Sequence, residues 1–234
     1  MNDAERKAIL KNAKEFFRTN IAEKHRENTK KLTSLSKFNV NPFTYKYLAQ
    51  FAFGDSTSEN VAKALVYPRI LGTSIATTFG TQLQYFCNKV LSSYASTTSG
   101  IDIEFIDAID GRRKYCQVKA GPNTINYDDV DTIKQHFKAV RNLARTNHLS
   151  LNTTDCIVGV FYGTRDSLSQ QYKKVDEDFP VYVGQEFWHH LTGDADFYND
   201  LIDAFAEVAD QMDSSAMVTE IIKNLADEID RNGI

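Results

Sequence analysis

Residues 101–119 read IDIEFIDAIDGRRKYCQVK, two runs with strand character on either side of Asp110-Gly111. Both residues tolerate positive φ, and Asp-Gly between alternating apolar positions is a strong local signal for a two-residue hairpin turn. With that turn, Ile109 faces Arg112, Asp102 faces Lys119, and Glu104 faces Gln117. Strand side chains alternate with period two. Asp102, Glu104, Gln117 and Lys119 are therefore expected on one face, with Ile101, Ile103, Phe105, Cys116 and Val118 on the other. Directly opposed Cβ atoms lie roughly 4.5–5.5 Å apart, so the hairpin collects two carboxylates, an amide and an ammonium group in front of an apolar backing.

That set suits metal-dependent cleavage of a phosphodiester. The reaction needs a cation against the phosphate, an oriented water, and a group that offsets charge at the attacked centre. Magnesium takes hard oxygen ligands, commonly one or two carboxylates with waters and substrate phosphate. Asp102 supplies a carboxylate, Gln117 an amide oxygen and Val118 a backbone carbonyl, while Glu104 binds the ion or orients its hydration shell. Lys119 holds or deprotonates the water, or offsets negative charge. A second reading of the same residues is a solvent-facing hairpin with ordinary cross-strand polar pairs, worth a few tenths of a kcal/mol each.

Outward from the hairpin, 128–147 is the best helix in the sequence. Val130, Ile133, Phe137, Val140 and Ala144 form an apolar stripe, and Lys134, Lys138, Arg141 and Arg145 form a basic one beside it. The basic stripe either neutralises phosphates or is simply solvated. The loop carrying Asn123, Thr124 and Asn126 offers groups suited to adenine edges or phosphates, or to capping the next helix. Arg112 and Arg113 at the turn either reach DNA or keep the hairpin tip soluble.

CIVGVFY at 156–162 is an apolar run expected as a strand buried on both faces, followed by a short strand at 181–183 and a helix from about Gln185. Residues 3–30 read as a charged amphipathic helix. Further helices are expected from about Thr44, from Glu59 to near Pro68, and from about Gly80 to Tyr94. Residues 195–232 form an acidic helical tail with a break near Ser214-Ser215. This order fits an α/β fold in which a mixed sheet is covered by helices on both sides. One nuclease domain over 1–234 is expected, with a helical part at 1–78, a catalytic core at 79–190 and an acidic helical tail at 191–234.

Composition is that of ordinary globular material, with 42% hydrophobic and 25% charged residues over 234 positions. The net charge of −4 hides a gradient. Residues 1–50 carry 11 basic against 5 acidic side chains, and residues 171–234 carry 4 against 15. A polyanion would meet the front half. No apolar signal core opens the chain, and no apolar run approaches the roughly 20 residues of a membrane span. Three cysteines, an odd number without C-x-x-C spacing, suit a reducing cytoplasm and make a zinc site unexpected. His136, His189 and His190 have no metal-ligand spacing and are read as structural or surface groups. No nucleophile elbow and no G-x-x-x-x-G-K-[ST] loop is present, so no nucleotide cofactor is expected.

The hairpin, its Asp-Gly-Arg turn and the Gln-Val-Lys-Ala-Gly segment resemble the catalytic core of type II restriction endonucleases of the PD-(D/E)XK superfamily. Phe79-Gly80, Lys119-Ala120-Gly121, Thr124-Ile125, the segment VGVFYG at 158–163, and VYVG at 181–184 with Glu186-Phe187-Trp188 are similar to one group within it. The resemblance covers about 79–188. It puts Asp102 at the motif's aspartate, Gln117 at its (D/E) position and Lys119 at its lysine. Gly100-Ile101 replaces a proline before Asp102, and an amide replaces the second acid, as also happens in active relatives. Similar enzymes often add an acid from the preceding helix, but that region offers Gln82 and Gln84, with Glu59 further away, and none is carried over.

The resemblance implies Mg2+-dependent cleavage of double-stranded DNA at a short palindrome, of the GGNCC kind, leaving 5′-phosphates, within a restriction-modification system. Two equivalent cuts imply a homodimer. The alternatives are a less specific or repair-type nuclease with the same core, and a catalytically inactive DNA-binding module with Gln117 marking the disabled centre. A glycosidase using Asp102 and Glu104 is remote, because Lys119 would keep one acid ionised.

Overall fold

The computed structural model describes residues 2–91, 94–96 and 98–232. The chain divides into two compact units. One is built from Met1–Phe16 with Gly80–Ala206, the other from Phe17–Phe79 with Glu207–Ile234. Each joins segments far apart in sequence.

The first unit holds a five-stranded sheet in the order β1-β2-β3-β4-β5. Its strands are Tyr94–Ala95, Ile103–Ile106, Arg113–Lys119, Cys156–Val160 and Val181–Val183. β1 to β3 pair antiparallel, while β3, β4 and β5 are parallel, so the sheet is mixed as expected. The crossover from β3 to β4 is helix α6, Tyr127–Thr146. Its stripe of Val130, Ile133, Phe137, Val140 and Ala144 is buried as the spacing predicts. Much of that stripe packs with Cys156, Val158 and Val160 of β4, Val181 and Val183 of β5, and Tyr172 and Val175 of α7 (Gln170–Asp176). On the other side, Phe86 of α5 (Ile75–Val90) meets Phe161 and Trp188 edge-on at 5.6 and 6.1 Å. Trp188 lies in α8, Gln185–Thr192. All five residues of β4 are buried, which is why CIVGV carries no polar alternation.

The second unit is helical. Its core includes Leu32, Leu35, Ala49, Val61, Ala62, Val66, Ile70, Ile221, Ile222, Leu225 and Ile229. These residues come mainly from α3 (Tyr45–Phe53), α4 (Ser58–Pro68) and α10 (Ser215–Asn232). The acidic tail is two helices, α9 (Phe197–Ala209) and α10, separated near the expected break. The opening segment is helical in three stretches, α1 (Asp3–Phe17), a π-helical turn at Arg18–Ala22, and α2 (Glu23–Lys30). Of the helix expected over 80–94, α5 starts earlier, at Ile75, and ends at Val90; its expected last turn falls partly on Ser92 and Ser93, outside the described residues.

The hairpin forms, in a different register from the one expected. Ile103 pairs with Cys116, Glu104 with Tyr115, Phe105 with Lys114 and Ile106 with Arg113. The turn spans Ala108 to Gly111, closed by Asp107 N–H donating to Arg112 O at 2.9 Å and Gly111 N–H donating to Asp107 O at 2.9 Å. Two aspartates open it to four residues. The Asp107 carboxylate accepts from Ile109 N–H, and that of Asp110 from Arg112 N–H, both at 2.9 Å. Gly111 takes φ of 70°, the left-handed conformation that ends such a turn. The slip is two positions, so every side chain keeps its face while changing its partner.

Candidate active site

The corrected register ends the β2–β3 ladder at Ile103 and Cys116. Asp102 lies just beyond it. Its N–H donates to Cys116 O at 3.0 Å, and its Oδ2 accepts from Val118 N–H at 2.8 Å. The carboxylate thus takes the place of a ladder carbonyl just past the last paired residues. Gln84 of α5 donates to the Asp102 carbonyl at 2.8 Å and fixes the backbone there. Burial pushes the thiols of Cys87 and Cys116 up, with the Asp102 charge adding to both shifts. The Asp102 carboxylate therefore lies near two buried, unreactive thiols. The N–H and C=O of one strand residue leave on the same edge, so the Val118 carbonyl opens onto the side where Asp102 sits.

Gln117 and Lys119 follow on β3. Gln117 is 5% exposed, and its Nε2 lies 2.5 Å from Gly100 O and 3.0 Å from Nδ1 of His136 on α6. Lys119 is half-buried, and its ammonium makes no ion pair or hydrogen bond among the described residues. The end of β3 thus gathers a carboxylate oxygen, a backbone carbonyl, an amide and a free cation within three residues of strand.

Glu104 is placed differently from expectation. It faces Tyr115 rather than Gln117, its Oε2 pairs with Arg113 at 3.1 Å, and its Oε1 accepts from Ser96 at 2.8 Å. A charge compensation directly across from Gln117 is therefore corrected by the register itself. Arg112 binds Asp155 through both carboxylate oxygens, one bond being 2.7 Å, and Asp155 is 1% exposed. Its guanidinium is thus part of the hairpin base. The same base holds Lys114, fully buried, against Asp110 at 2.5 Å, Asp107 at 3.6 Å and Asp155 at 3.8 Å. Nothing in the amphipathic pattern announced that cluster, because Lys114 occupies a core position that strand alternation assigns to an apolar residue.

The loop after β3 is engaged in structure. Asn126 caps α6 in a capping box with Asp129, and Thr124 bonds Gly121 O and the Tyr172 hydroxyl, each at 2.9 Å. Asn123 is exposed. On α6, Lys134 pairs with Asp178 at 2.6 Å, whereas Lys138, Arg141 and Arg145 are exposed and make no ion pair among the described residues. The contact that the sequence did not announce is that of His136, set aside for lack of metal-ligand spacing, with Gln117. Its spacing of three from Ile133 and four from Val140 sets it beside the apolar stripe, and that was the available signal.

Among the described residues no three His, Cys, Asp or Glu side chains converge to hold a metal ion. A cation here would draw on Asp102, the Val118 carbonyl and the Gln117 amide oxygen, and hard oxygens of this kind fit a hard dication. No helix among the described residues is long and apolar enough to cross a membrane. No curated protein matches the chain. The family model described as type II restriction endonuclease EcoO109I matches residues 11–213.

Proposed function

Because the chain belongs to the EcoO109I family of type II restriction endonucleases, a class of DNA-cutting enzymes that generally use divalent metal ions, we propose that it cuts double-stranded DNA at a short palindrome with Mg2+ at the end of β3. Asp102, Gln117 and the Val118 carbonyl hold the ion in this reading. When bound, Mg2+ neutralises the scissile phosphate and lowers the barrier to attack by water. Lys119, with no carboxylate of its own, donates to the attacking water or to a non-bridging phosphate oxygen. Attack forms a new P–O bond and breaks the bond to the 3′-oxygen, which takes a proton. The products carry 5′-phosphate and 3′-hydroxyl ends.

The observation that carries the reading is the juxtaposition on β3. Asp102 is locked to Val118 N–H one residue from each of Gln117 and Lys119. A hairpin of ordinary polar pairs would leave Lys119 opposite an acid, and here it has none. Lys138, Arg141 and Arg145 are the proposed phosphate contacts, with Arg113 and Asn123 as further candidates. Restriction-modification partnership, a cytoplasmic location, a GGNCC-like target and a homodimer belong to the same reading.

Plasmid DNA incubated with the protein and Mg2+ tests it. Discrete fragments with ligatable 5′-phosphate ends are expected. A smear indicates a less specific nuclease, and intact DNA that is nonetheless retarded on a gel indicates a binding module. Lys119→Ala is expected to lower the cleavage rate by about 10²–10³-fold while DNA binding in Ca2+ is kept; undiminished cutting by this variant sinks the mechanism.

A further inference from the structure

We infer that His136 is a positioning residue that turns the Gln117 amide so its oxygen, not its nitrogen, faces the metal position. The inference rests on reading Gln117 as an oxygen donor. A carboxamide can present either atom, and a glutamine at an acid position is a ligand in one orientation and a repellent donor in the other. Two acceptors fix the choice. The atom 2.5 Å from Gly100 O must carry a hydrogen, because a backbone carbonyl only accepts, so it is Nε2. The second hydrogen on that nitrogen points to His136 Nδ1 at 3.0 Å. With both hydrogens engaged, the amide cannot rotate by half a turn without setting its oxygen against a carbonyl oxygen. Oε1, on the opposite side of the group, makes no hydrogen bond among the described residues.

The loop before β2 is shaped for this contact. Gly100 has φ of 79°, and a Cβ there would lie 2.3 Å from Cγ of the His136 ring. The backbone carbonyl and the imidazole therefore approach the amide together, and only glycine lets them. His136 reaches the site from α6, whose register is set independently by the Asn126–Asp129 capping box and the apolar stripe. Groups that hold a metal ligand in place typically change metal affinity by about 10–100-fold when removed.

Mn2+ binding to the full-length protein without DNA, followed by electron paramagnetic resonance, tests the inference. Gln117→Ala is expected to weaken binding. His136→Leu keeps the volume but offers no acceptor, and is expected to weaken it about 10–100-fold. His136→Asn places an amide oxygen near the position of Nδ1 and is expected to retain most of the wild-type affinity. In the Gln117→Ala background, His136→Leu should cost nothing further, because it acts only through the amide. Absent Mn2+ binding by the unsubstituted protein, or equal binding by Gln117→Ala, refutes the donor reading and this inference with it. Weakened Gln117→Ala beside unaltered His136→Leu refutes the inference alone. So does lost Mn2+ affinity in His136→Asn when its thermal unfolding matches wild type, a variant that decides the matter even if His136→Leu does not fold.

Discussion

At the scale of single residues, Gln117 shows how spacing along a strand brings side chains together without showing what holds them. The interval between Asp102 and the Gln-Val-Lys triplet was enough to bring those groups to one end of β3. It could not show that the amide is held by Gly100 O and His136 Nδ1, since both lie outside the strand that carries it. Those neighbours make a firm prediction. Gln117→Glu, which restores the commoner acid, supplies no hydrogen to either acceptor and sets a carboxylate oxygen against a carbonyl. Leaving a fully buried acceptor unpaired costs about 1–3 kcal/mol, and less is expected for these half-buried ones. The variant is therefore expected to unfold at lower denaturant and to bind Mn2+ no more tightly than wild type. A gain in both properties would show that the amide surroundings are not tuned to an amide.

At the scale of elements, the hairpin was legible in its faces and illegible in its turn. Alternation survives a slip of two positions, so the face assignments for β2 and β3 held although every partner changed. Asp-Gly alone favours a two-residue turn, but Asp107 and Asp110 each capture a backbone N–H, and Lys114 needs both carboxylates nearby. The decisive partner, Asp155, lies more than forty positions along the chain, beyond any local rule. Its pairing with Arg112 has a consequence in acid. The Arg112 hydrogen bond, outweighing burial, holds the Asp155 carboxyl below the usual carboxylate range. A folded value below the unfolded one means that the pair stabilises the fold above the unfolded pKa of about 3.9. That stabilisation is lost as pH falls through the lower, folded value. Asp155→Asn should therefore lower the unfolding temperature clearly at neutral pH, with the gap to wild type closing below about pH 4. A gap that stays constant down to pH 3 would mean the ionised pair is not what holds the hairpin base.

At the scale of the whole molecule, the proposed palindromic target asks that one site per chain serve two strands. A pair of chains related by a two-fold axis supplies two centres, and such an interface buries the same patch from each copy. The described surface offers a candidate in the helical unit. Phe43, Tyr47 and Phe51 are 92, 63 and 76% exposed, and the rings of Tyr47 and Phe51 stack at 5.8 Å. Their spacing of four puts Tyr47 and Phe51 on one side of α3, with Phe43 in the turn just before it and Leu48 also 46% exposed. Exposed apolar surface of this kind commonly marks an interface, and α3 contributes Ala49 to the core from its other side. Equilibrium sedimentation of the wild-type protein is expected to give twice the 26.5 kDa of one chain. Phe51→Glu, placing a charge in each half of the shared patch, should shift the equilibrium to the single chain without lowering the unfolding temperature, because Phe51 contributes almost nothing to its own core. Cleavage of both strands in one binding event should then give way to nicked intermediates. A Phe51→Glu protein that remains dimeric and still cuts both strands together would move the interface elsewhere on the chain.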